Sequence, residues 1–259
     1  MTPRRMPAFG ADWALFLDID GTLLDYAPHP QQVRIEAGLL ALLARLHAAT
    51  GGAIALISGR SVEDIDALFA PLRLPAAGQH GTERRGAGGA LSRHAPPLES
   101  LGRAAAEIVR LTAAHDGLVF ENKGMTLALH YRQAPTLRAL VEAEMRAIAA
   151  ALGGGFELQT GKFVAEIKPS GRDKGSAIAE FLAEAPFAGR RPVFIGDDLT
   201  DEPGFEVVNR AGGESVKVGP GISRARWHLP DAAAVSRWLA DYAGSRDGPG
   251  LARTGAPRA

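Results

Sequence analysis

The chain alternates between short runs of unbroken apolar residues and longer stretches whose apolar positions recur at helical spacing. WALFLDID, residues 13–20, is apolar on both faces as far as Asp18, the pattern of a strand buried in the middle of a parallel-type sheet. Residues 36–48, EAGLLALLARLHA, carry a helical stripe, and AIALISGR, 53–60, repeats the passage from apolar strand into polar loop. SVEDIDALF reads as a helix capped at Ser61, with Asp64 three residues on. Strand, helix, strand, helix predicts a parallel sheet. The rhythm returns late in the chain, with a helix at about 173–184, the strand RPVFIGDD (191–198), a helix at 200–208, the short strand ESVKVG and a last helix at 231–243.

The middle differs. Gly86, Gly88 and Gly89 break the chain. A helix at about 98–114, strands GLVFENK (117–123) and MTLALHYR (125–132), a helix at 136–151 and strands FELQT and KFVAEIK follow. Such hairpins belong to a small mixed layer. The expected organisation is therefore an α/β core with a parallel sheet, from residues 1–84 and 168–243. An inserted α/β domain would occupy 85–167, and a loose Gly-, Pro- and Arg-rich tail 244–259.

Composition narrows the function classes. With 29 basic and 29 acidic residues among 259, the formal charge is zero, which gives no electrostatic pointer to nucleic acid or an anionic membrane surface. The absence of cysteine excludes disulfides and thiolate metal sites and fits a reducing cytoplasm. The apolar run before Asp18 is too short for a signal peptide or a membrane span. A monomer of the cytoplasm acting on a small molecule is expected.

Polar residues follow the core strands at four places: Asp18 and Asp20, Ser58 and Arg60, Lys174 at a helix start, and Asp197 and Asp198. In an open parallel sheet, ligands bind beyond the carboxyl ends of the strands, so the four sets can converge. Asp18 and Asp20 project to one side of their strand, where a cation between them, or protonation of one of them for chemistry, would relieve their repulsion. Acids from two strands make an oxygen site suited to Mg²⁺, while a hydroxyl, a lysine and an arginine hold phosphoryl oxygens. The chemistry indicated is phosphoryl transfer.

DIDGTL, the SGR serine, the DKG lysine and GDDLTDE resemble the four signature segments of the haloacid dehalogenase superfamily of phosphatases. More narrowly, APHPQQV, GQHGTE, ENKGMTLALHYR, KFVAEIKP and GDDLTDEPGFE are similar to the trehalose-6-phosphate phosphatase family, in order and spacing, over residues 13–240. The resemblance implies a Rossmannoid core with a cap domain and a phosphatase of that substrate. Asp18 would be the nucleophile and Asp20 the general acid and base. Mg²⁺ would be held by Asp18, the Asp20 carbonyl and Asp197, with Asp198 a ligand or its partner. Ser58, Lys174 and Arg60 would bind the phosphoryl group.

In the insertion, Glu121 and Lys123, His130 and Arg132, and Glu166 and Lys168 are pairs spaced by two, each on one face of its strand. Met125, Leu127, Leu129 and Tyr131 take the other face of theirs, as do Phe163, Ala165 and Ile167. Alternation alone allows a solvated polar face; the resemblance implies a sugar-binding one. His80, in GQHGTE, is a further candidate substrate contact, or a hinge residue. Other sugar phosphates, a phosphomutase and a non-enzymatic sugar-phosphate sensor remain as alternatives.

Two patterns fail. TGKF lacks the first glycine of a nucleotide-binding P-loop, since residue 156 is Phe, and Phe163 stands where its Ser or Thr belongs. DIDG opens like a calcium loop, but its twelfth position is His29.

Overall fold

A computed structural model describes residues 6–7, 9–10, 12–25, 35–94 and 98–246. The APHPQQV segment and residues 247–259 of the expected tail lie outside them.

The large sheet forms around β1 (Trp13–Leu17) and β2 (Ile54–Ile57), as the apolar runs predict. Among the described residues it has eight strands, six of them parallel neighbours. From one edge its order is β12 (Trp227–Leu229), β11 (Glu214–Val218), β10 (Arg191–Gly196), β1, β2, β3 (Ala76–Gly78), β4 (Glu83–Arg85) and β5 (Leu91–Arg93). Side chains of β1 alternate between two apolar layers. Trp13, Leu15 and Leu17 pack with helices α1 (Ala37–Ala49), α2 (Val62–Phe69) and α7 (Ala232–Arg246). Ala14 and Phe16 pack with α5 (Lys174–Leu182) and α6 (Glu202–Arg210). Phe16, Phe181 and Phe187 meet there at centroid distances of 5.0 to 6.0 Å. Each ring buried in this way stabilises the fold by roughly 1.5–3 kcal/mol. Ser61 caps α2, its hydroxyl accepting from the Asp64 N–H.

The smaller sheet is antiparallel, in the order β6 (Val119–Asn122), β7 (Leu127–His130), β9 (Val164–Pro169), β8 (Phe156–Gly161). Its apolar face buries Leu127, Leu129, Ala165 and Ile167 against Leu101, Ala104 and Ile108 of α3 (Leu98–Ala114) and Val141, Met145 and Ile148 of α4 (Arg138–Leu152). Phe163 does not join that face. It sits at the β8–β9 hairpin tip with φ 64° and is 37% exposed.

The glycines at 86–89 mark something other than the start of the insertion. Gly86 N–H donates to Ala90 carbonyl, and these residues turn β4 into β5, both antiparallel additions to the large sheet. The chain leaves that sheet only beyond Arg93. A tight hairpin and a linker carry the same glycine signal, and three-residue strands such as AAG and ERR are too short to show alternation.

Candidate active site

Because β10, β1 and β2 are adjacent and parallel, the residues following them converge on one edge of the sheet. Asp18 continues the ladder of β1, its N–H donating to Ile195 carbonyl. Its carboxylate is 4% exposed and accepts from Thr22 Oγ1 at 3.1 Å and from Lys174 Nζ at 2.7 Å. Lys174 begins α5 and also donates to Asp201 Oδ1 at 2.7 Å. Burial works against its charge, but Asp18 and Asp201 outweigh that and hold the ammonium above the usual lysine range. Ser58, at the end of β2, is buried, and its Oγ accepts from the Arg60 N–H. Arg60 turns to Asp20 and grips both its oxygens, at 2.7 and 2.6 Å.

Carboxylate oxygens of Asp18, Asp197 and Asp201 lie within 4.8 Å of one another. The Asp18 carboxyl is pushed well above the ordinary carboxylate range, first by burial and then, against the pull of Lys174, by Asp201 and Asp197. Lys174 pairs with Asp18 and Asp201, and an oxygen-only donor set of this kind fits a hard divalent cation.

From the sequence, Asp198 is expected as a metal ligand or the partner of one, and Asp201 has no assigned role. In the 3-10 turn Leu199–Asp201 it is Asp201 whose carboxylate comes to lie with those of Asp18 and Asp197. The turn carries Asp201 back so that Oδ2 accepts from the N–H groups of Asp197 and Asp198 at 2.8 and 2.9 Å. Asp198 faces away, one oxygen capping Leu199 N–H and the other accepting from Lys162 N–H at 3.3 Å. The signal available was the third acid of DDLTDE, four residues after Asp197.

Over this edge lies the polar face of the smaller sheet. Strand register aligns Glu121, Ala128, Glu166 and Gln159 in one row across all four strands, with the small Ala128 in its middle. Glu121 accepts from His130 Nε2 at 2.8 Å. Burial raises its pKa, but His130 and Lys123 bring it below the ordinary range. Glu166 is 3% exposed and is met by His80 Nε2 at 3.0 Å, Thr126 Oγ1 at 2.5 Å and Lys123 Nζ at 3.3 Å. Lys123 also donates to Gly59 carbonyl at 2.9 Å, tying the two sheets together.

The two faces enclose a cleft of about 580 Å³. Every candidate site residue singled out from the sequence lines it except Lys168, and the cleft adds Gln159, which no motif marked, and Lys162, which opens KFVAEIKP without being assigned a role there. Lys168 lies one row further along β9, buried and paired with Glu157 at 2.6 Å and with Arg172 carbonyl. Spacing by two put it on the correct face, but only the register shows that the cleft ends before it. The helices of the described residues include none long and apolar enough to cross a membrane.

A parallel sheet with buried aspartates and a lysine at its central strand ends, covered by an inserted polar sheet, is a fold this chain shares with a solved phosphatase of the haloacid dehalogenase superfamily. That phosphatase, from Bacteroides thetaiotaomicron, matches with a TM-score of 0.57 at 16% identity, over 89% of this chain and 94% of its own. A structure described as a trehalose-6-phosphate phosphatase related protein reaches 0.74 at 28% identity, over 89% and 97%. The sequence narrows the group further. The family model for trehalose-phosphatase matches residues 16–228. The trehalose-6-phosphate phosphatase of Escherichia coli K12 is 48% identical over 234 residues, 90% of this chain and 87% of that protein. This chain belongs to the trehalose-phosphatase family.

Proposed function

We propose that the protein hydrolyses trehalose 6-phosphate to trehalose and phosphate through an aspartyl-phosphate on Asp18. One observation carries this reading: the buried Asp18–Lys174 pair, 2.7 Å apart, opens into the same cleft as the row Glu121, Glu166 and Gln159. Phosphoryl chemistry and many hydrogen-bonding groups for sugar hydroxyls thus face each other. The family supplies the substrate.

A carboxylate oxygen of Asp18 attacks phosphorus, and the bond from phosphorus to the sugar O6 breaks. Asp20 gives its proton to that oxygen, then takes one from the water that cleaves the acyl phosphate and frees Asp18. Ser58 and Lys174 hold the phosphoryl oxygens, and Arg60 holds Asp20 beside them. The carboxylates of Asp18, Asp197 and Asp201, with the Asp20 carbonyl, would hold Mg²⁺. Bound there, the ion would neutralise charge on the phosphoryl oxygens. Residues of the smaller sheet act as the cap that selects the leaving group, with Glu121, Lys123, His130, Arg132 and Glu166 in that role. All these groups come from one chain, which supports action as a monomer, and a cysteine-free chain suits the cytoplasm.

The test is phosphate release from trehalose 6-phosphate, sucrose 6-phosphate and glucose 6-phosphate, with Mg²⁺ or EDTA, for the native chain and Asp18→Asn. Turnover of the trehalose ester alone, dependent on metal and absent in the variant, is expected. Equal turnover of all three esters overturns the substrate; none overturns the activity.

A further inference from the structure

The run Gly78–Gln79–His80–Gly81 sits where the two sheets meet, and its backbone is unusual. Gln79 and His80 are successive non-glycine residues at φ 46° and 56°. Such strain persists only where the surroundings fix it, and it concentrates at functional sites. Close approach forces the flanking glycines. A Cβ on Gly81, itself at φ 93°, would come 2.5 Å from Asp173 carbonyl, and one on Gly78 would come 2.7 Å from Val62 N.

The strain aims one side chain. His80 N–H donates to Ser58 carbonyl at 3.0 Å, while its ring lies so close over Gly59 that a Cβ there would meet Nε2 at 2.7 Å. The ring reaches Glu166 Oε2 through Nε2, and its Nδ1 is buried with no hydrogen-bond partner. A carboxylate only accepts, so Nε2 carries the proton. From Glu166 the contacts pass to Lys123 and from Lys123 to Gly59 carbonyl, so that the successive carbonyls of Ser58 and Gly59 are both held by this chain of contacts.

We infer that His80 is a positioning residue for substrate selection. It fixes Glu166, and through Glu166 the ammonium of Lys123, against the loop that carries Ser58. The sugar-facing row and the phosphate-facing loop are thereby held in one register. This deepens the proposed function and rests on it for the identity of the sugar.

Two substitutions separate this role from a purely conformational one. His80→Gln places an amide N–H about where Nε2 stands, whereas His80→Asn suits the left-handed backbone better but falls short of Glu166. The readout is kcat/KM for trehalose 6-phosphate divided by kcat/KM for p-nitrophenyl phosphate, which lacks the sugar. His80→Asn is expected to lower that ratio about tenfold to a hundredfold, as loss of a hydrogen bond to a charged group does, with Gln recovering most of it. A ratio unchanged in Asn, or better kept in Asn than in Gln, overturns the inference. A second readout needs no substrate. The Nε2 proton resonance of His80 is expected downfield in the native protein and displaced upfield in Glu166→Gln, and an unmoved resonance overturns the inference. A native enzyme that cleaves the aryl ester but not the trehalose ester defeats the substrate reading alone and leaves the resonance test to decide the role of His80.

Discussion

Arg60 holds Asp20 by a planar two-point contact, Nε to one carboxylate oxygen at 2.7 Å and Nη2 to the other at 2.6 Å. The proposed general acid is thereby fixed beside the nucleophile by a residue of the neighbouring strand's loop. If Asp20 protonates the leaving oxygen, its loss matters in proportion to the basicity of that oxygen. Asp20→Asn is expected to lower kcat on trehalose 6-phosphate by at least about 10²-fold, and to slow formation of the phosphoenzyme from p-nitrophenyl phosphate far less. Rapid-quench measurement of both steps checks this, and equal losses would remove Asp20 from the role.

Arg60→Lys keeps the charge but not the fork. One ammonium cannot make the two parallel contacts, so kcat on the trehalose ester is expected to fall by roughly tenfold even though the charge is conserved. Steady-state kinetics of Arg60→Lys beside Arg60→Ala would show whether geometry or charge matters.

Asp201 is the unexpected member of the acid cluster, and Gly196 makes room for it. A Cβ on Gly196 would lie 2.3 Å from Asp201 Cγ, so Gly196→Ala has to displace that carboxylate. Both Asp201→Asn and Gly196→Ala are expected to weaken Mg²⁺ binding by about 10- to 100-fold, the usual cost of disturbing groups that orient ligands. Calorimetric titration with Mg²⁺ measures this without reference to turnover. Asp198→Asn is expected to change the affinity much less.

Acid should loosen the junction between the sheets. Burial depresses the His80 pKa from its ordinary 6.5, so the ring is neutral in the fold and its contribution is lost as pH falls below that value. Burial would raise Glu166, but Lys123 and His80 outweigh it and hold the carboxyl far below its ordinary 4.5. Its contribution is complete above 4.5 and is lost on further acidification. Urea unfolding from neutral to acid pH should show a decline beginning near 6.5 and steepening below 4.5. In Glu166→Gln, less stable at neutral pH by roughly 3 kcal/mol, the steeper part should shrink. A gap between the two proteins that stays constant with pH would refute the assignment.

Glu121, held by His130 at 2.8 Å, faces the cleft. Glu121→Ala is expected to raise KM for trehalose 6-phosphate about tenfold while altering p-nitrophenyl phosphate kinetics much less. Competition by free trehalose, measured in both proteins, gives an independent reading of the sugar site.

The amino-acid sequence by itself determined that apolar strands run into Asp18, Ser58 and Asp197, and that Lys174 opens a helix. Those are local patterns, because an unbroken apolar run or a capped helix start is written in consecutive residues. The two faces of the inserted strands were legible for the same reason, since pleating alternates regardless of what lies opposite. Tertiary structure decided the rest. Asp201 replaces Asp198 in the acid cluster because a turn of 3-10 helix, not a strand period, sets their directions. Lys168 misses the cleft because the position of a row depends on neighbours far away in sequence. β4 and β5 join the large sheet because strands this short are specified by the hydrogen bonds of their partners. The contacts of Glu166 with His80 and Lys123 exist only once three segments, each more than forty residues from the next, are packed together.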